Sequence, residues 1–235
     1  MTQLTPANAE RLRNAFLQCR DMEGTLREQL EAYAAAGREI FPAYGEAVDR
    51  LVERLHANGG GENAPRPGDP MPPFVLPDDQ GRLVTLDSLT AEGPVAVMFF
   101  RGHWCPYCRL NVRAVTQAMD RIKTMGAQIV AIMPEMQEYA ERFKAESDAP
   151  FPVLTDLDNG YALSLNLAIW LGPEIQQLLS YYDMASFHGN DGWLLPIPAT
   201  FVVGRDGVVK ARFVDPDFRK RMAIDDLLAA LRNAG

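Results

Sequence analysis

Val95-Ala96-Val97-Met98-Phe99-Phe100-Arg101-Gly102-His103-Trp104-Cys105-Pro106-Tyr107-Cys108 is the stretch that decides how this chain folds. The six apolar residues 95–100 read as a buried strand. Arg101 to Trp104 make a tight turn, and a helix pattern follows at once. Val112, Val115, Met119 and Ile122 face inward along a helix of about 105–125, and Gly126 supplies its stop. The cysteine pair therefore sits at a strand–helix junction. Two intervening residues let the sulfurs meet across one helical turn. A cysteine at a helix N-terminus feels the positive end of the backbone dipole, which favours the reactive thiolate.

A lone C-x-x-C allows a dithiol–disulfide couple, half of a zinc site, or a pair of structural thiols. Zinc takes about four ligands, usually from a second spaced pair. The remaining Cys19, His56, His103 and His188 form no such pair. Structural thiols would not require the strand–turn–helix placement. The redox couple is the reading that uses every feature, with no metal and no cofactor.

Working outward, residues 1–57 read as a helical extension. Thr5-Pro6 starts a helix. Leu12, Phe16, Cys19, Leu26, Leu30 and Tyr33 follow as one apolar stripe, broken at Gly37 and Pro42. Val48, Leu51, Val52 and Leu55 mark a second helix. The stripe suits packing on the main domain or a homodimer equally. Cys19 lies on it as a small apolar residue, with a redox role the lesser alternative. Residues 58–73 are rich in Gly and Pro and read as a linker. A catalytic domain of 74–235 opens with a small hairpin (74–76 and 83–86). It continues as strand 95–100, helix 105–125, strand 128–133, helix 136–147, strand 151–154 and a helical stretch of about 159–183 interrupted near Gly172-Pro173. A second hairpin (200–203 and 208–213) and a helix of about 219–233 end the chain. This order predicts an α/β fold with parallel strands first and an antiparallel edge last.

The chain has 235 residues, three cysteines and a net charge of −8. An acidic chain argues against nucleic acid as a partner. So few cysteines favour a reducing, cytoplasmic setting over a disulfide scaffold. No leader peptide and no membrane span are expected, the longest apolar runs being far short of about 18 residues.

Ile197-Pro198, directly before strand 200–203, is a candidate cis-proline, although an ordinary trans turn is the commoner case. Phe100 to Cys108, with Trp104 before the first cysteine, resembles the active-site loop of the thioredoxin superfamily, and Ile197-Pro198 matches that superfamily's cis-proline site. Gly68-Asp69, Phe74 to Leu76, Arg101 to Cys108, Phe151 to Asp156, Pro196 to Val203 and Val214 to Asp217 resemble more closely the peroxiredoxin-like branch of the alkyl hydroperoxide reductase/thiol-specific antioxidant (AhpC/TSA) family. The resemblance implies a thioredoxin-like fold, a central mixed sheet flanked by helices, with the N-terminal helices as an extension.

It also implies chemistry. Cys105 would be the exposed nucleophile and Cys108 the buried resolving thiol. A hydroperoxide would oxidise Cys105 to sulfenic acid, which Cys108 converts to a disulfide. A disulfide substrate would reach the same product by exchange. A thioredoxin-like or small-thiol donor would then reduce it. A Cys-Pro-Tyr-Cys pair resembles glutaredoxins, whose couples lie at roughly −200 to −230 mV, above thioredoxin near −270 mV. Typical peroxiredoxins carry Thr or Ser three residues before the peroxidatic cysteine and Pro seven before; here Gly102 and Met98 stand there. The buried acid of thioredoxins is replaced by Phe99, and the arginine ahead of the late strand is absent from 194–197. Arg101, His103 and Arg109 are the residues that could take over part of these roles, with Trp104, Pro106, Tyr107 and Pro198 shaping the site. A cation beside Cys105 would favour its thiolate. His188 lies in a polar loop and reads as non-catalytic. The readings are a hydroperoxide-reducing enzyme, a thiol–disulfide oxidoreductase, and a redox-sensing partner-binding module.

Overall fold

The computed structural model describes residues 4–235. Its N-terminal part is three helices, α1 (Pro6–Asp21), α2 (Leu26–Ile40) and α3 (Pro42–Ala57), where the sequence predicted two. The additional break is local. Gly24 adopts φ +139°, and Thr25 starts α2 with a capping box: its N–H donates to Glu28 Oε2 at 2.7 Å while its hydroxyl accepts from the Glu28 N–H. Gly37 stays inside α2, and Pro42 opens α3. The apolar stripe is covered within the chain. Phe16, Cys19, Leu26, Leu30 and Tyr33 are all buried.

Residues 58–73 are not a loose tether. The Gly68 and Met71 N–H groups donate to the carbonyls of Val209 and Gly207, each at 2.9 Å, which pins this segment along the last hairpin. The first hairpin is β1 (Val75–Pro77) with β2 (Leu83–Thr85), followed by α4 (Leu86–Glu92) and β3 (Val95–Phe99). The helix after the cysteine turn is divided at Ala118 into α5 (Pro106–Gln117) and α6 (Met119–Thr124). Then come β4 (Gln128–Met133), α7 (Gln137–Glu146) and β5 (Val153–Thr155).

The irregular stretch holds α8 (Gly160–Ser164), β6 (Ala168–Trp170), α9 (Pro173–Leu178), α10 (Met184–His188) and β7 (Leu194–Pro196). The antiparallel β6–β7 pair was absent from the sequence reading. Three-residue strands are too short for alternation to register, and Pro196 argues against a strand from sequence. The chain closes with β8 (Ala199–Val203), β9 (Val209–Val214) and α11 (Ile224–Asn233).

The main sheet has the order β5-β4-β3-β8-β9, parallel from β5 to β3 and antiparallel from β3 to β9. It is the central mixed sheet flanked by helices that the resemblance implied. Along β3 and just beyond, Ala96, Met98 and Phe100 share a cluster with Val112 and Val115 of α5. Val95, Val97 and Phe99 join Phe74, Leu86 and Leu89 on the other face. Both faces are covered, so the strand reads as a continuous apolar run. Its carboxyl end therefore points out of the sheet into α5, where open α/β sheets place their sites. Among the described residues no helix is long and apolar enough to cross a membrane.

Candidate active site

Cys105 is the N-cap residue of α5, with extended backbone (φ −82°, ψ 114°), and Pro106 occupies the first helical turn. Pro106 suits that place because its missing N–H would have had no partner there. The turn closes when the Cys105 N–H donates to the Gly102 carbonyl at 3.2 Å. Gly102 has φ +148°, and a Cβ there would lie 2.5 Å from Trp104 Nε1 and 2.7 Å from Glu135 Oε1. Only glycine fits. A threonine at this position is excluded by the packing of the loop itself.

All three cysteines carry free thiols. Cys105 is 1% exposed and Cys108 fully buried, so Cys105 is not the exposed thiol that the resemblance implied. The physical reason is a roof: α2 packs on α5, and α1 and α3 line the space beside it. Tyr33 of α2 packs on Tyr107 with ring centroids 5.3 Å apart, and Arg109 lies over the Phe16 ring of α1 at 4.8 Å. Beneath this roof is a cavity of about 240 Å³ that Cys105 lines with Arg101 and Trp104.

Burial alone would push both sulfurs toward the thiol. For Cys105 that effect is overcome by hydrogen bonding from the Cys108 thiol and by the positive charges of Arg101 and Arg221, which bring it down from 9.0 to about 6. Cys108 is pushed well up, by burial and then by the neighbouring Cys105 sulfur. The pair is thus divided into a thiolate and a proton-bearing thiol. The Arg101 N–H donates to Cys108 Sγ at 3.4 Å, and Arg221 Nη2 approaches it at 3.5 Å.

Arg101 opens the turn that leads to Cys105. It is only 2% exposed, and no carboxylate pairs with it among the described residues. Its guanidinium lies 3.8 Å from the Phe218 ring centroid and 5.1 Å from that of Trp104. Stacking on two aromatic faces partly replaces the lost hydration. Burial lowers its pKa and the Cys105 sulfur raises it, with a net rise, so it stays charged.

His103 is not among the residues lining that cavity and sits in a second buried cluster. Its Nδ1 lies 2.8 Å from Glu135 Oε1, and its backbone N–H donates to Glu135 Oε2 at 2.7 Å. Tyr139 and Phe187 flank its ring. Glu135 is fully buried and its pKa is raised, burial outweighing the hydrogen bonds from His103. Glu135 was absent from the sequence reading. It lies 32 residues from His103, just past β4, and only a lone acid after an apolar strand marked it. Tyr44 of α3, near enough to Arg101 and Cys105 for their charges to shift it, had no sequence signal at all.

The other candidates lie where packing explains them. Tyr107 is buried between Tyr33 and Phe218. Arg109 pairs with Glu146 at 3.3 Å. His188 is buried, with Nε2 unpartnered, and burial lowers its pKa to about 4. Cys19 is buried on α1, which raises its pKa. The Ile197–Pro198 peptide is trans, so the cis geometry implied by the resemblance is not adopted. Pro198 is buried and does not line the cavity.

Residues 67–212 match the model of the AhpC/TSA family, which is more than half of the chain. The chain belongs to the AhpC/TSA family. Within it, the chain is 32% identical to the chloroplastic peroxiredoxin Q of Sedum lineare over 71% of its own length and 77% of the relative's. It is 26% identical to thiol-disulfide oxidoreductase ResA of Bacillus subtilis (strain 168), over 60% of its own length and 64% of the relative's. The fold resembles the crystal structure of peroxidoxin BcpB from Mycobacterium tuberculosis, with a TM-score of 0.57, 23% identity, and coverage of 73% of this chain and 99% of the other.

The AhpC/TSA match begins at residue 67. The three N-terminal helices that roof the cavity thus lie outside it. Arg219 ties this roof to the segment that follows β9, with Asp217 accepting from its Nε at 2.7 Å and Asp49 of α3 from its Nη1 at 3.0 Å.

Proposed function

We propose that this chain is a thiol-dependent peroxidase of peroxiredoxin type, cycling Cys105 and Cys108 between dithiol and disulfide. The observation that carries this reading is the division of the pair: Cys105 held as thiolate beside an unpaired arginine, Cys108 holding its proton one turn below. The Cys105 thiolate attacks the outer oxygen of a hydroperoxide, the O–O bond breaks, and an alcohol leaves as sulfenic acid forms. The Cys108 sulfur then displaces water from that sulfenic acid to give the disulfide. A thiol donor returns the two electrons by exchange. Residues 74–235 carry this chemistry, 58–73 lead into them, and 1–57 are the helical extension. The small cysteine count supports a reducing, cytoplasmic setting.

A second reading, exchange with disulfide substrates, is favoured by the ResA relative and by Gly102 where the threonine of typical peroxiredoxins would stand. Access weighs against protein disulfides. Cys105 lies under the α1–α3 roof, where a small peroxide or small thiol enters more readily than a folded partner. A low-molecular-weight thiol therefore suits the reducing step, and a thioredoxin-type donor would need the roof displaced.

Stopped-flow oxidation of the reduced protein, followed by Trp104 fluorescence, tests this. The peroxidase reading fails if hydroperoxide reacts no faster than with a free thiol of similar pKa while a disulfide peptide exchanges rapidly. Cys105→Ser should abolish turnover. Cys108→Ser should stop the cycle at the sulfenic acid.

A further inference from the structure

Arg221 lies beyond the residues that match the family model, in the segment between β9 and α11. Its Nη2 is 3.5 Å from Cys108 Sγ, a sulfur with no exposure to water. The other end of the guanidinium is anchored: Nη1 donates to the carbonyls of Phe218 and, at 2.7 Å, Lys220. The segment that carries it is fixed in turn. The Asp217 N–H donates to Asp215 at 2.8 Å, the Arg219 N–H to Asp217 at 3.1 Å, and the Phe218 ring packs against Tyr107 and Arg101. Arg219 is paired with Asp49 and Asp217, whereas no carboxylate pairs with Arg221 among the described residues. Its Nε is buried without a partner. A half-buried guanidinium without a carboxylate leaves its charge to act on the titratable group it touches, which is Cys108.

We propose that Arg221 is a catalytic residue of the resolving step, its guanidinium stabilising the Cys108 thiolate as that sulfur attacks the oxidised Cys105. This rests on the Cys105–Cys108 couple, which the peroxidase and exchange readings share. In the reduced pair, burial raises the Cys108 pKa most, and the hydrogen bond to Cys105 and the charge of that sulfur add to the rise; Arg221 and the Arg101 N–H act the other way. Oxidation of Cys105 removes its negative charge. Cys108 is then left with burial against Arg221 and the Arg101 N–H, while Glu135, the carboxyl past β4, is held toward its neutral form by burial. The Cys108 proton is thus kept until Cys105 has reacted and released afterwards. The Cys108 electron pair forms the S–S bond, the S–O bond of the sulfenic acid breaks, and its pair leaves on hydroxide, which the proton given up by Cys108 turns into water. Cys108 is oxidised and Cys105 reduced to the disulfide level. From a mixed disulfide on Cys105, the bond to the small thiol breaks instead and the pair leaves on that thiolate.

Arg221→Met removes the charge and keeps an unbranched side chain; Arg221→Lys keeps the charge. The reduced proteins are mixed with hydrogen peroxide and, separately, with 2,2′-dithiodipyridine, each at several concentrations. Attack by Cys105 scales with the reagent, and resolution by Cys108 does not, so the two steps separate. Acid-quenched samples distinguish the sulfenic acid or mixed disulfide from the Cys105–Cys108 disulfide by mass, and release of the second thiopyridone times the resolution directly. One contact charge moves a thiol by about one to three pH units. A less acidic thiol is the better nucleophile, with a Brønsted slope of about 0.4–0.5, which returns part of the loss. Arg221→Met should therefore slow resolution by about 3- to 50-fold at pH 7 and move its midpoint up by about one to three pH units, the loss closing at alkaline pH. Arg221→Lys should keep the wild-type midpoint. An unchanged rate and midpoint in Arg221→Met overturn the assignment, as does an equal, pH-independent loss in both variants. Wild-type Cys105 reacting with peroxide no faster than a free thiol would end the peroxidase reading, while the dithiodipyridine arm still decides the role of Arg221.

Discussion

Replacing Arg101 with Met removes the buried charge nearest in role to Cys105 while keeping an unbranched side chain over Phe218. The Cys105 thiol sits at about 6 instead of 9.0 because hydrogen bonding from Cys108 and the charges of Arg101 and Arg221 together outweigh burial. That displacement corresponds to roughly 4 kcal/mol in favour of the thiolate at about 1.4 kcal/mol per pH unit. At pH 7 it makes about 90% of Cys105 thiolate, against about 1% for the ordinary thiol. One opposite charge within contact range contributes about one to three pH units. Arg101→Met should therefore move the midpoint to between about 7 and 9, and the thiolate fraction at pH 7 should fall to about half or less. The assay is the pH dependence of iodoacetamide alkylation of the reduced protein, with the Cys105 adduct identified by mass. Burial raises both Cys19 and Cys108, so neither adds a wave near neutral pH. A midpoint that stays near 6 in the variant would refute the assignment and leave the thiolate to Cys108, Arg221 and the helix terminus.

Gly102→Thr, which installs the residue of typical peroxiredoxins, should cost about 2–4 kcal/mol in urea unfolding through its positive φ and its contacts with Trp104 and Glu135; peroxide reduction should not improve. His188 is held at about 4 against 6.5 when free. Its folded pKa is depressed, so its neutral form contributes stability that is full above pH 6.5 and lost as pH falls toward 4. The contribution is roughly 3 kcal/mol, and unfolding of wild type and His188→Gln should converge across that window. Cys105 follows the same sign at higher pH, with stability of the reduced protein present above about 9 and lost as pH falls through about 6. Cys105→Ala should therefore flatten the rise in melting temperature between pH 6 and 9.

The strand–turn–helix reading of 95–108 held because each step has a local cause: continuous apolar burial on both faces of β3, a loop of six residues (100–105), and a proline at the start of α5. The antiparallel edge was legible for the same reason, since Gly204 to Gly207 mark its hairpin. The β6–β7 pair and the break at Gly24 depend on three-residue ladders and one capping box, below what periodicity resolves. The site separates in the same way. Cys105 and Cys108 declare themselves by spacing. Glu135 and Tyr44 reach the site only through tertiary packing, from elements whose own patterns look structural.

The roof accounts for the departures from the family pattern together. A threonine hydroxyl polarises peroxide in a loop with room for it; here Trp104 and Glu135 close on Gly102 and fill that room. The space is recovered on the other side of Cys105, where α1–α3 enclose a cavity and Arg101 is buried against Phe218 instead of facing water. Burying an unpaired arginine is costly unless its charge has a task, and the Cys105 thiolate supplies the opposite charge. The helical extension and the glycine are thus two parts of one arrangement. If the roof came from an unrelated appendage, deleting α1 would leave the Cys105 titration and the peroxide rate as they are. If it is part of the site, opening it should hydrate Arg101, raise the Cys105 midpoint and slow bulky hydroperoxides more than hydrogen peroxide.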